Sequence, residues 1–322
     1  MKSKVLILSI VISIPLFWGV NVLGNNLEDF WYDLELAKRP ELITASFNQK
    51  LMNIELRNMK LTKERKKDLE KLEIGARSAI SVQINKDGER KLLRLNSTDR
   101  VPIASLTKLM TALVSVEIYS FDQLITITKE AVNQEGDSKY GNLIVGEQLT
   151  VENLLYTMLL ESSNDAAYAM TQPIGSEAFV DLMNNYAEKI GLKDTYFVNP
   201  TGLESDNPEA VKNYSTAEDL VKLSEYILEK HPEIFEISKN ESYKVLKPNG
   251  SLHHFIQSGT NKLLGEIPEI IGGKTGWTAA AGGCLLLIIN DPKTNSYYIN
   301  VILGAEDRFA EMHKITDVIQ ND

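Results

Sequence analysis

The chain has 322 residues, 43% hydrophobic and 24% charged, enough apolar content for the core of one large domain or two modest ones. Its 34 basic and 44 acidic residues give a net charge of −10, and no basic stripe with interleaved aromatics occurs, which argues against a nucleic-acid partner. The single cysteine, Cys284, excludes intrachain disulfides and a lipid anchor near the N-terminus, and in its apolar run it reads as a small buried hydrophobe.

Lys2 and Lys4 precede an apolar stretch over residues 5–23, the layout of a secretory signal, with a cut expected after Gly24. The stretch also approaches the roughly 20 residues of a membrane-spanning helix. Residues 1–24 are therefore expected to be a signal peptide or an N-terminal anchor, and either exports the rest of the chain. Residues 25–74 carry no catalytic motif. Their charge-dense end, residues 61–73, has opposite charges at helical spacing and predicts a solvated helix, either a stalk or a surface helix lying on the domain. The catalytic domain is expected over 75–322.

Residues 78–84 alternate, Lys86-Asp87-Gly88 makes a turn, and residues 91–95 continue, which predicts a β-hairpin. Residues 105 to 240 read as mostly helical. Thr150 opens a helix bearing Leu154, Leu155, Met158 and Leu159, Asp165 is expected to cap the next one, and Ser215–Glu218 reads as a capping box. His253-His254 are expected in a loop. The apolar run 284–289 predicts a central strand covered on both faces, 297–303 its partner, and 308–319 a closing helix. Strands from both ends around a helical middle imply an α/β (α+β type) fold, one antiparallel sheet with an inserted helical subdomain.

Three segments carry chemistry. In Ser105-Leu-Thr-Lys108, apolar residues at helical spacing place Ser105 at or beside a helix start with Lys108 one turn on, on the same face. A lysine among apolar groups loses charge stability and can accept the serine proton, and free N–H groups at the helix start suit an oxyanion. Alone, the tetrapeptide reads first as a serine cap followed by a surface lysine, a common pattern at helix starts. Ser162-Ser163-Asn164 falls at a turn between two helices. There Ser162 could relay a proton and Asn164 hold Lys108, although turn and cap chemistry uses the same residue types. Lys274-Thr275-Gly276, followed by Trp277 and Thr278, lies on a glycine-rich strand. Lys274 offers charge, and the hydroxyls of Thr275 and Thr278 suit a terminal carboxylate; glycines let a substrate backbone approach. In this order the three are the signature of a penicillin-recognising serine acyltransferase.

These segments, with Pro102–Leu113, Glu161–Ala167, Phe197–Leu203, Thr260–Leu264 and Gly273–Thr278, resemble the D-alanyl-D-alanine carboxypeptidases, the low-molecular-mass penicillin-binding proteins of the serine peptidase family. The resemblance covers about residues 75 to 318 and implies a β-lactamase/transpeptidase-like fold. It implies that Ser105 attacks the penultimate D-Ala carbonyl, Lys108 is the base, and Ser162 and Asn164 complete the proton path. Lys274, Thr275, Gly276, Trp277 and Thr278 would bind substrate, with an oxyanion hole from the N–H groups of Ser105 and Trp277. The implied substrates are peptidoglycan stem peptides ending in D-Ala-D-Ala, the implied covalent inhibitors β-lactams, and the implied location is outside the cytoplasmic membrane. No cofactor or metal is expected, and none of the four histidines forms HExxH. Position 163 is Ser where many relatives have Gly. Because the sequence ends soon after the last helix, membrane attachment is expected only through residues 5–23.

Three rivals stand beside this reading. A D,D-endopeptidase would use the same residues on cross-links. A class A β-lactamase would need a Glu-x-x-x-Asn spacing that residues 198–207 lack. A non-catalytic penicillin-binding module would not need the intact serine and lysines.

Overall fold

In β10 (Gly282–Asp291), Cys284, Leu286 and Ile288 enter one hydrophobic cluster while Leu285, Leu287 and Ile289 enter the other. Successive side chains of a strand point to opposite faces, so a continuous apolar run is what a strand covered on both sides requires. In this computed structural model, which describes residues 40–134, 140–205, 207 and 209–320, that strand lies within a five-stranded antiparallel sheet. With β1 (Ser78–Asn85), β2 (Gly88–Leu95), β9 (Ile270–Thr278) and β11 (Ser296–Ala305), the order is β2-β1-β11-β10-β9. Strands from both ends of the domain thus meet at the centre, and the α/β architecture expected from sequence is the observed one. The β1–β2 hairpin closes with Asn85 opposite Gly88, leaving Lys86 and Asp87 as the turn.

Between β2 and β9 lie the helices that cover one face: α2 (Thr107–Ile118), α3 (Lys129–Val132), α4 (Val151–Leu160), α5 (Asn164–Ala169), α6 (Ser176–Ile190), α7 (Ala217–Lys230) and α8 (Glu233–Ser238). Leu109, Leu113, Leu154, Met158, Leu220 and Phe235 from these helices join the sheet's Ile80, Val82 and Val301 in one core. On the other face α9 (Arg308–Gln320) contributes Met312, Ile315 and Ile319.

Among the described residues the chain divides into two units, with the boundary between Thr62 and Lys63. Helix α1 (Pro40–Leu69) runs through the division. In the first unit Phe47, Leu56 and Met59 are exposed. In the second, Leu69 joins the core of α9, and the buried Arg65 guanidinium pairs with Asp291 and donates to Tyr298 Oη at 2.9 Å. The last turns of the charge-dense helix are thus fastened by a buried ion pair rather than fully solvated. The apolar stretch 5–23 and the cut after Gly24 lie outside the described residues. Among those described, no helix is long and apolar enough to cross a membrane.

Three local expectations are corrected. The cap of α7 is Thr216, whose hydroxyl accepts from Asp219 N at 3.0 Å. Ser215 is held extended against Val101 in a two-residue ladder, and Glu218 turns to Lys91, Arg94 and Ser97. The cap of α5 is Ser163, accepting from Ala166 N at 3.2 Å, and Asp165 lies in the first turn. His253 and His254 belong to a strand, β8 (Leu252–Ile256), which pairs with β7 (Tyr243–Leu246).

Candidate active site

Ser105 sits in a 3₁₀ turn, Ala104–Leu106, that feeds directly into α2. It is half-buried while its neighbours Ala104, Leu106, Thr107 and Lys108 are buried, so its hydroxyl is what this segment offers to a ligand. Ala104 holds φ +47° and Ser162 φ +64°, left-handed conformations that non-glycine residues rarely adopt and that cluster at functional sites.

Lys108 projects one turn from Ser105 and is fully buried. Its Nζ lies 3.0 Å from Ser105 Oγ, 2.7 Å from Asn164 Oδ1 and 2.7 Å from the Thr201 carbonyl. Once deprotonated, the amine has two N–H bonds and one lone pair, and these partners do not fall on them equally. The Thr201 carbonyl and the Asn164 amide oxygen can only accept, so they take the two N–H groups. The lone pair then faces the Ser105 hydroxyl, the one partner able to donate. This arrangement lets Lys108 remove the serine proton.

Thr201 is held in place by side chains. Asn199 Oδ1 accepts from Thr201 N at 3.1 Å, Thr201 Oγ1 at 3.0 Å and Gly202 N at 2.8 Å. Asn213 Oδ1 accepts from Val198 N and its amide donates to Thr107 Oγ1, while Thr111 donates to the Pro200 carbonyl at 2.6 Å. Reading the sequence missed Thr201 and Asn213 as site residues. A backbone acceptor has no side-chain signature, and the only available signal was the Asx-turn composition of Asn199-Pro200-Thr201-Gly202.

Lys274, on β9, is 1% exposed. Its Nζ donates to Ser162 Oγ at 2.9 Å and to the Thr275 carbonyl at 3.1 Å. Burial, then the nearby charges of Lys108 and Arg308, push its pKa well below the ordinary 10.5. Two buried lysines thus flank one turn, each on a serine hydroxyl. Between the folded-state pKa of Lys274 and 10.5, the unfolded chain binds a proton that the folded chain does not. Stability therefore rises with pH across that window, by at most about 1.4 kcal/mol per pH unit from this group. We expect Lys274→Met to remove this slope and to leave stability at neutral pH no lower than wild type. Urea unfolding at two pH values checks it, and equal slopes in both proteins would refute the assignment.

Gly276 explains its place in the third motif. A Cβ there would sit 2.9 Å from Ser105 N, so only glycine lets β9 run this close to the Ser105 backbone. Gly272, by contrast, makes room for the Phe235 side chain rather than for a ligand. Thr275 Oγ1 lies 2.6 Å from Thr260 Oγ1, and Trp277 is 62% exposed. Thr278 Oγ1 donates to Glu204 at 2.7 Å and accepts from Ala281 N, so its hydroxyl proton is directed to Glu204. Ser163, where many relatives have Gly, points away into the protein: its hydroxyl caps α5 and donates to the Tyr140 carbonyl at 3.1 Å. Hydrogen bonds therefore join Ser105, Lys108 and Asn164 in one group, and Ser162 and Lys274 in a second. Thr275, Gly276, Trp277 and Thr278 follow along the strand beside them.

A model of the D-alanyl-D-alanine carboxypeptidase family matches residues 60–307. The chain belongs to that family. This family member is 32% identical over 254 residues to the D-alanyl-D-alanine carboxypeptidase DacF of Bacillus subtilis, covering 76% of this chain and 62% of DacF. It is 29% identical to the D-alanyl-D-alanine endopeptidase of Escherichia coli, over 77% of this chain and 78% of that protein. Among solved structures it is similar to penicillin-binding protein D2 of Listeria monocytogenes in its cefotaxime-bound form. That match has TM-score 0.62 and 29% identity, over 77% of this chain and 98% of the other. The chain spans little more than half the length of two further carboxypeptidases that it matches. Cys284 is a free, buried thiol, pushed up to about 11 by burial, and is not placed for nucleophilic chemistry.

Proposed function

We propose that this protein is a serine D,D-carboxypeptidase that removes the terminal D-Ala from peptidoglycan stem peptides through a Ser105 acyl-enzyme. The observation that carries the reading is the Lys108 amine, 3.0 Å from Ser105 Oγ with its N–H groups directed to Asn164 and Thr201. Ser105 Oγ attacks the penultimate D-Ala carbonyl as Lys108 takes its proton. The developing oxyanion is received by the N–H groups of Ser105 and Trp277. The bond to the terminal D-Ala then breaks as Ser162, held by Lys274, gives its proton to the departing amine and takes in its place the one that Lys108 had accepted, which leaves Lys108 neutral again. Lys274 and Thr275 recognise the free carboxylate, whose charge favours the protonated form that burial disfavours in the empty site. Water, activated by Lys108, releases the shortened peptide. β-Lactams would acylate the same hydroxyl. The site of action is the cell wall outside the cytoplasmic membrane, reached through export directed by residues 5–23.

D-alanine release from an acylated peptide ending in D-Ala-D-Ala, measured with the full chain, tests this. Release supports it. A folded protein that releases none, yet splits cross-linked muropeptide dimers into monomers, moves the function to endopeptidase. That second reading is favoured by the more even overlap with the endopeptidase relative.

A further inference from the structure

His253 and His254 lie nose to nose in β8, their Nδ1 atoms 2.6 Å apart and their rings edge to face. Each outer nitrogen meets a carboxylate. His253 Nε2 is 3.0 Å from Glu147 Oε1, and His254 Nε2 is 3.2 Å from Glu161 Oε2. The four side chains are 3% to 16% exposed. Three contacts in a row each need one proton, and ionised carboxylates supply none. Two neutral imidazoles bring only two protons. The geometry is satisfied by three, one on each Nε2 and one shared between the Nδ1 atoms. A bridging metal would hold the two nitrogens farther apart than 2.6 Å, since each metal–nitrogen bond is itself about 2 Å.

What the pair connects gives it a role. Glu161 ends α4 and immediately precedes Ser162, which holds φ +64°. Glu147 closes loop 140–147, accepting from Ile144 N at 2.7 Å, and the other end of that loop is held through Ser163 Oγ on the Tyr140 carbonyl. The β7–β8 hairpin is itself fixed to α4, where Asn153 donates to the Leu246 carbonyl at 3.0 Å and Tyr156 stacks on Tyr243. The contacts therefore close a ring around the 161–164 turn: Tyr140, Ser163, Glu161, His254, His253, Glu147.

We propose that His253 and His254 are positioning residues for the acyl transfer, sharing one proton that fastens the Ser162 turn and loop 140–147 to the β7–β8 hairpin. The proposal rests on the reading of Ser162 as part of the proton path. The charged groups facing the pair are Glu147 from the loop and Glu161 from the end of α4, while β7 sets Val245 opposite His254. Removing either ring or Glu161 opens the chain of contacts between the Ser162 turn and loop 140–147.

The test is the rate of acylation by a fluorescent penicillin. The full chain is compared with His254→Gln and Glu161→Gln, and melting temperature controls for folding. We expect both variants to fall roughly tenfold or more, the scale on which misplaced groups lose rate. Imidazole ¹⁵N spectra of the wild type should show both Nε2 atoms protonated and one proton divided between the Nδ1 atoms. Acylation rates unchanged in both variants, or two independent neutral rings in the spectra, overturn the proposal. A folded wild type that takes no penicillin overturns the acyl-transfer reading itself, a different and separable failure.

Discussion

Penicillin adduct formation is expected to disappear when Ser105 becomes alanine, and peptide turnover to fall on the order of 10⁶-fold, as it does when the nucleophile of a cooperating catalytic set is removed. The fold should survive. Ser105 is half-buried, its hydroxyl is one of three partners of Lys108, and the other two remain. Alanine also fits the backbone of a 3₁₀ turn. The melting transition should therefore move by less than about 1 kcal/mol of stability, as for a substitution away from the core. Intact-mass measurement after incubation with benzylpenicillin, beside a thermal melt, reads both halves. A loss of stability on the scale of a core truncation, about 2–5 kcal/mol, would show that Ser105 is there to hold structure.

Gly202→Ala should be the most damaging change that touches none of the reacting side chains. Gly202 has φ +85°, and a Cβ built on it falls 2.0 Å from the Ala104 carbonyl oxygen and 3.0 Å from Ser105 N. Left-handed backbone alone costs an alanine about 1–2 kcal/mol. The clash adds a further 1–3 kcal/mol, roughly, by forcing packed backbone apart. What moves is the segment carrying the nucleophile, or the Thr201 carbonyl next to Gly202, and either spoils the Ser105–Lys108 geometry. Acylation should slow by about a hundredfold. Gly175→Ala supplies the control: φ is +90°, but nothing lies within 4 Å of its Cβ, so it feels the strain without the collision. Equal effects of the two variants on acylation would remove the steric argument.

Both predictions depend on different kinds of legibility. The side chains of the site were readable because reactive chemistry restricts residue type. A serine three residues before a lysine at a helix start, and a lysine before a small residue on a glycine-rich strand, leave little else to place there. The sheet was readable for a similar reason, since Cys284–Ile289 cannot be apolar throughout unless both faces are covered. Failures came where a neighbour distant in sequence decides the outcome. Ser215 looks like a cap until Val101 pairs with it, and Glu218 looks like its partner until Lys91 and Arg94 claim it. His253 and His254 look like loop residues because two polar side chains in succession break alternation. They enter a strand because Glu147 and Glu161, 106 and 93 residues away, satisfy them. Arg65 was read as one more charge on a solvated helix, and Asp291, 226 residues on, turns it inward.

Lys108 draws its partners from three places: the turn that carries it, the start of α5, 56 residues ahead, and the 199–202 loop, 93 residues ahead. None of these fragments contains a reactive hydroxyl by itself. A chain with a single helix adrift leaves the Ser105 hydroxyl beside an amine that lacks its Asn164 and Thr201 partners. On the proposed reading, the hazard of an acylating enzyme would be confined to the finished molecule, and nucleophilic power would mark that folding is complete.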